Sequence, residues 1–323
     1  MIGVHLLLVA AAVAVAAPRV LARAGWVYRS PRLGIAAWYA VLAAVLSAVA
    51  AAVTSMVAPW RRGDAPVCVA WRWCAQAARG EFGVAGRAVA ALLVLAGAAL
   101  AVRLVVCGVR LARVGSARRR EHVRLLGLTG WRSVELGATV VECAEPAAYV
   151  VAGHDRRVVV TSGALDVLSA EEVAAVLAHE RAHAAGRHDL LLDGVRLLQA
   201  AFPAVALFSV ARAQLGRLVE MRADEVAVAS HPPISLARAL VAMASHPSTA
   251  RAGAWSVPAG AVAATGGDAA ERLRRLLEPP ARLPRMQRAA LAAGIAALAV
   301  LPAALLVAGQ VFPMLGMCPT LPS

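Results

Sequence analysis

The sequence contains no lysine: all 33 of its basic residues are arginine. With alanine, valine and glycine so abundant, this points to a GC-rich genome rather than to a function. Aromatic residues are also scarce, at 4% of the chain, so the net charge of +14 does not come with side chains that stack on bases. The arginines cluster beside apolar runs, which argues against a direct nucleic-acid partner. Charged residues of either sign make up 16% against 60% hydrophobic, a balance outside that of soluble globular domains and typical of a membrane protein. No CxxC pair is present, which excludes a thiolate metal site of that kind. Cys68 and Cys74 could pair in an oxidising compartment, with the reduced state equally open, while Cys107, Cys143 and Cys318 are scattered. There is no internal repeat.

What is present is a set of four long apolar runs. Residues 2–17 are a charge-free run of 16, short for a span. Its end, "AVAVAAP", also suits signal-peptide cleavage, but no positive residue precedes the apolar core, so a retained first span is expected. Residues 33–58 give 26 uncharged positions and the clearest span. Residues 88–109 are a third, interrupted by Arg103, whose stem can carry its guanidinium toward the interface. Residues 289–312 are a fourth, 24 long without a charge. The expected fold class is mainly α, with four transmembrane helices and an α+β domain inserted between the third and fourth. The corresponding divisions are 1–112, 113–285 and 286–323. A small-solute transporter would require charged or broken helices near mid-bilayer, and apart from Arg103 these are missing.

Orientation follows from the arginines. Arg19, Arg23, Arg29 and Arg32 follow the first run without an acid, six more lie between Arg110 and Arg124, and Arg282, Arg285 and Arg288 precede the last run. Nothing after Arg288 carries a side-chain charge. A multi-pass protein of the cell membrane is expected, with the bilayer as partner, the inserted domain cytoplasmic and both termini outside. The loop 59–83, with four arginines against Asp64 and Glu81, fits this less well.

Within the inserted domain, 131–141, 147–151 and 158–161 read as short strands, the last two joined by the turn "GHDR". "SAEE" at Ser169 to Glu172 has the form of a capping box and starts a helix that runs into "VLAHERAHAAGRHD", residues 176–189. There HExxH falls on His179, Glu180 and His183. On a helix the two histidines are one turn apart and share a face, so both rings can reach one ion, with Glu180 beside it. A catalytic zinc takes three protein ligands and keeps a fourth position for water. Glu180 is then the base for that water. The plain alternative is two satisfied surface histidines on an amphipathic helix.

Two residues compete as third ligand. Asp189 completes HExxHxxGxxD, with Gly186 where the metzincin class turns the chain back. Glu220 opens "EMRAD", in which Glu220 and Asp224 are four apart on one helical face, so one can bind the ion while the other fixes a histidine ring from behind. Between the two clusters lie fifteen uncharged residues, 197–211, broken by Pro203. If they crossed the bilayer, Glu220 and His179 would be on opposite sides. They are short for that, so a buried or membrane-apposed segment returning to the same side is expected.

The run "AAYVVAGHDRRVVVTSGALDVLSAEEVAAVLAHERAHAAGRHDLL" followed by "EMRADEVA" resembles the gluzincin pattern of membrane proteases. It is most similar to the BlaR/MecR-type antirepressor metallopeptidases, and more distantly to the HtpX and CAAX-prenyl proteases. "RLRRLLEPP" at residues 272–280 is also family-like. The resemblance implies Zn2+ held by His179, His183 and Glu220, with Glu180 as general base and Asp224 behind the ligands. Asp189 is then left with structural work, such as pairing with Arg187 or capping. It further implies a peptide hydrolase acting on a protein or peptide, a transcriptional repressor of BlaI type being the family's target. Beta-lactam sensors of that family carry an outer penicillin-binding domain after the fourth span, and with 313–323 in that place no sensing of that kind is expected. Membrane-protein quality control is a second possible role. A signalling or scaffolding protein with an inert, structural metal site is the alternative class. His231 and His246, each before a proline, suit loop positions better than an oxyanion-binding role. His188 reads as an exposed helix-end residue, and His154 has no assigned role. The apolar hairpin 147–161 could offer an edge strand to an extended peptide, or simply pack in the core.

Overall fold

The computed structural model describes residues 2–57, 83–151, 153, 156–245 and 266–314. The loop 59–82, with Cys68 and Cys74, lies outside these residues, as do His154, His246 and Cys318. The apolar runs fold as helices α1 (Ile2–Arg23) and α3 (Pro31–Val57), linked by the short α2 (Gly25–Arg29). Leu6 packs with Ala51 and Ala52, while Leu21 packs near Val27 and Trp38, so α1 and α3 run antiparallel. The third run begins α4 (Gly83–Thr129), which does not stop at the end of the apolar segment but continues through the arginine-rich stretch for 47 residues. At 1.5 Å per residue this is about 70 Å, more than twice the thickness of a hydrocarbon core of roughly 30 Å. Windows long and apolar enough to cross a membrane occur at His5–Arg23, Pro31–Ala52 and Leu95–Thr129. Residues 289–312 lie in the last helix, α11 (Arg285–Met314), which packs along α3.

The domain between α4 and α11 begins with a four-stranded sheet: β1 (Gly130–Ser133), β2 (Ala138–Val141), β3 (Ala148–Val151) and β4 (Arg157–Thr161). The run 131–141 is therefore two strands, not one. Its tip holds Gly137 at φ 56°, a left-handed conformation that glycine adopts without a Cβ penalty. The order is β1-β2-β4-β3, with β2 and β4 parallel and the other pairs antiparallel, which leaves β3 as an edge. Alternate residues of β4 serve two cores: Val158 and Val160 pack against the helices of the domain, and Val159 against Leu126 of α4. The end of α4 thus covers the second face of the sheet, and His122 Nε2 on α4 lies 2.8 Å from the Tyr149 hydroxyl. Because β2, β3 and β4 are covered on both sides, they read as continuous apolar runs, while β1 at the edge stays largely exposed.

Next come α5 (Ser162–Val167) and α6 (Ala170–Gly186). Thr161 caps α5, its hydroxyl accepting from the Ala164 and Ala147 amides, which accounts for the "TSGAL" turn. Ser169 and Glu172 form the expected capping box on α6. The helix ends where Arg187 takes a left-handed conformation at φ 48°, and α7 (His188–Ala201) starts in a new direction. A four-residue turn containing Pro203 joins α7 to α8 (Ala206–Ala227), so the segment 197–211 folds back as a helical hairpin. The hairpin is buried against α1 and α3 through Val195, Leu207, Phe208, Leu215 and Leu218. Where α8 crosses the start of α3, a Cβ on Gly34 would come within 2.8 Å of the Val27 carbonyl oxygen and 3.2 Å of Leu218 Cδ1. The Arg103 guanidinium donates to the Ala201 carbonyl at the end of α7, where unpaired helix carbonyls accept a cation best. The domain closes with α9 (Pro233–Ser245) and α10 (Gly266–Leu277).

Candidate metal centre

The centre of the site is the inner face of α6. Val173, Val176 and Leu177 anchor that face in the core, and one turn later it presents His179, buried, and then His183, half-buried. Their Nε2 atoms lie 3.1 Å apart. The helical hairpin returns Glu220 of α8 to the same place, its carboxylate oxygens 3.5 Å from each Nε2. Among the described residues, His179, His183 and Glu220 are the group that could hold a metal ion.

The spacing can be tested against what an ion requires. Two ligand atoms each about 2.0–2.1 Å from a tetrahedral zinc are about 3.4 Å apart. The observed separations of 3.1 and 3.5 Å match that edge, and two imidazoles with one carboxylate suit zinc chemically. Asp189 is elsewhere. It lies in the first turn of α7, 3.7 Å from Arg156 rather than paired with Arg187. Arg156 also donates to the Ala184 carbonyl, tying the end of α6 to the start of α7. Gly186, which in the competing pattern turns the chain, has a different reason to be glycine: a Cβ there would lie 2.4 Å from the His188 ring.

Behind the three residues stands a layer that holds them. Asp224, one turn beyond Glu220, has Oδ1 2.9 Å from His179 Nδ1, a close ion-pair contact rather than an aligned hydrogen bond. Arg272 of α10 donates to both Asp224 oxygens, at 2.7 and 2.8 Å, and its other nitrogen lies 3.0 Å from Glu220. His188 is buried, 5% exposed, contrary to its expected position at a helix surface, and its Nδ1 lies 2.9 Å from His183 Nδ1. Each histidine thus has its Nδ1 side occupied and its Nε2 turned toward Glu220. His231 sits in the connection between α8 and α9.

Arg272 and His188 were not legible as site residues. In "ERLRRLL" nothing separates Arg272 from Arg274 and Arg275 except helical phase, and the phase has meaning only once the partner face is known. We expect Asp224→Asn, which keeps the shape but removes the charge shared by His179 and Arg272, to weaken metal binding about 10- to 100-fold. A chelator-competition titration of the purified protein measures this.

The electrostatics follow from burial and contact. Burial disfavours the His179 imidazolium, but the adjacent Asp224 and Glu220 carboxylates outweigh it and raise the group to about 10. Partial burial alone would raise Glu220, yet hydrogen bonds from His179 and His183 hold it well below the usual carboxylate range. Asp224 is likewise lowered, burial being overcome by His179 and Arg272. Glu180 goes the other way, raised by burial against the pull of His179 and His183. Burial and the charge of His183 push His188 down to about 4. A metal ion must therefore displace a proton that His179 retains up to about pH 10. Below that value the proton competes, so apparent metal affinity should rise with pH, by up to about tenfold per unit for one proton released. Metal titrations between mildly acidic and alkaline pH would reveal the slope.

Residues 133–279 match the family model of peptidase family M48. The M48 segment runs from the tip of β1 past α10 and so takes in α6, Glu220, Asp224 and Arg272. The match supports a metallopeptidase of a family that is typically zinc-dependent. No curated protein and no solved structure matches the chain significantly.

Proposed function

We propose that this chain is a membrane-anchored, zinc-dependent endopeptidase, in which the M48 segment faces the cytoplasm and both termini face out. The observation that carries the reading is the convergence of His179, His183 and Glu220, with Glu180 on the same helix turn. His179, His183 and Glu220 would hold the ion, oriented by Asp224, His188 and Arg272. When bound, a zinc ion supplies a water of lowered pKa and polarises the scissile carbonyl. Glu180 accepts the proton of the attacking water on its carboxylate and returns it to the leaving amine. Its raised pKa suits both directions of that transfer. The edge strand β3, beside α6, offers free main-chain groups to an extended peptide. The orientation is supported by the shared level of Arg29 at the end of α2, Arg32 at the start of α3, and Arg285 and Arg288 at the start of α11, all lining one cavity next to the domain.

Regulatory cleavage of a cytoplasmic protein, such as a BlaI-type repressor, is the physiological role that the likeness to antirepressor metallopeptidases supports. The test is direct. The detergent-purified full-length chain should cleave β-casein or a candidate repressor, lose that activity with 1,10-phenanthroline and regain it with added Zn2+. Metal bound tightly with no cleavage under any of these conditions would instead favour a structural metal site.

A further inference from the structure

A second concave site lies beside the metal centre, on the other side of α8. It is a cavity of about 860 Å³ at the junction of α3, α8, α10 and α11, and it is lined by seven arginines and two carboxylates. The carboxylates are already engaged. Asp224 is bound by Arg272, and Glu225 lies 3.3 Å from Arg222 and 3.7 Å from Arg275. Arg275 also donates to the Tyr28 carbonyl. The remaining five, Arg29, Arg32, Arg282, Arg285 and Arg288, make no ion pair among the described residues and are exposed to the cavity or to solvent. Gathering five guanidinium groups around one space raises their mutual repulsion, which a bound anion removes.

The position of the cavity says which anion. Arg29 and Arg32 stand just before the apolar part of α3, and Arg285 and Arg288 just before that of α11. The lining also includes Leu33, Leu283, Ala289 and Ala292, so the basic mouth passes into an apolar wall formed by two parallel helices. That is the layout of a phosphate above the start of an acyl chain. Arginine is the side chain best suited to phosphate, binding its oxygens through paired N–H donors. The volume falls within the range of small-ligand sites, on the order of 300–1,000 Å³.

We propose that this cavity binds a phosphate-bearing anion, supplied by the headgroup of an anionic phospholipid. Since Asp224, which contacts His179, and Met221 form part of its wall, the headgroup would sit beside the metal centre and brace α8 against α10. The inference rests on the membrane insertion proposed above but not on catalysis, and its test reads no cleavage.

Full-length protein is reconstituted in an equimolar mixture of phosphatidylcholine and phosphatidylglycerol and re-extracted, and the co-purifying lipid is counted by mass spectrometry. Wild type should retain phosphatidylglycerol above its bulk share. Arg32→Gln/Arg285→Gln should lower that retention by about tenfold or more, and Arg110→Gln/Arg113→Gln, an exposed pair on α4 outside the cavity, should leave it unchanged. In a parallel arm, inorganic phosphate is added to lipid-depleted protein and the thermal midpoint followed. A midpoint rise in wild type but not in the cavity variant, without phosphatidylglycerol enrichment, would keep the anion site and assign it to free phosphate. Phosphatidylglycerol enrichment of equal size in the two double variants, or no response to either anion, would overturn the proposal.

Discussion

Glu180→Gln should abolish most peptide cleavage, by about 10²- to 10⁴-fold, while leaving the metal content at the wild-type level. The side chain is half-buried beside His179 and His183 but is outside the group that could hold an ion. Glutamine has the same shape and can still donate or accept a hydrogen bond, but it cannot take a proton from water. Activity and metal content are therefore expected to separate in this variant. The check is a single preparation assayed twice, for β-casein cleavage and for zinc by elemental analysis. Equal cleavage by mutant and wild type would remove the catalytic role of Glu180 without touching the metal site. Loss of zinc along with activity would make Glu180 a part of that site instead.

The second large effect separates the two competing carboxylates. Glu220→Ala should lower metal affinity by more than the 10- to 100-fold that removal of an outer partner costs, because a ligand itself is deleted. It also leaves Arg272 with Asp224 as its remaining carboxylate. Asp189→Asn should retain metal and activity, since its contact is with Arg156 at the corner between α6 and α7. Both residues are about equally good candidates on sequence spacing, so the pair of variants is decisive where spacing alone is not. Metal bound normally by Glu220→Ala and lost by Asp189→Asn would reverse the assignment.

The features that were legible beforehand are the ones local geometry controls. The capping box at Ser169, the shared face of His179 and His183, and the helical nature of the apolar runs all depend on residues within one or two turns of each other. Helix periodicity places such residues whatever the rest of the chain does. The errors arose where local pattern underdetermines the path. The stretch 131–141 hides a turn at Gly137, which separates the largely exposed β1 from the buried β2. The end of α4 could not be placed at the arginine-rich stretch, since arginine is a good helix former and the helix is held to its last turns by docking on the sheet.

The amino-acid sequence by itself supplies apolar runs that suggest membrane association and one HExxH helix that carries two histidines on one face. Spacing alone left Asp189 beside Glu220 as third ligand, the family resemblance favoured Glu220, and neither marked His188 and Arg272 as members of the site. The convergence of Glu220 and Arg272 depends on a hairpin reversing at Pro203 and on α10 packing across α8, contacts between residues 41 to 93 positions apart, whereas the turn at Arg187 returns His188 to His183. Long-range convergence of this kind follows from burial of Leu207, Leu215 and Leu218 against α1 and α3, a property of the assembled helices that no window of the sequence contains.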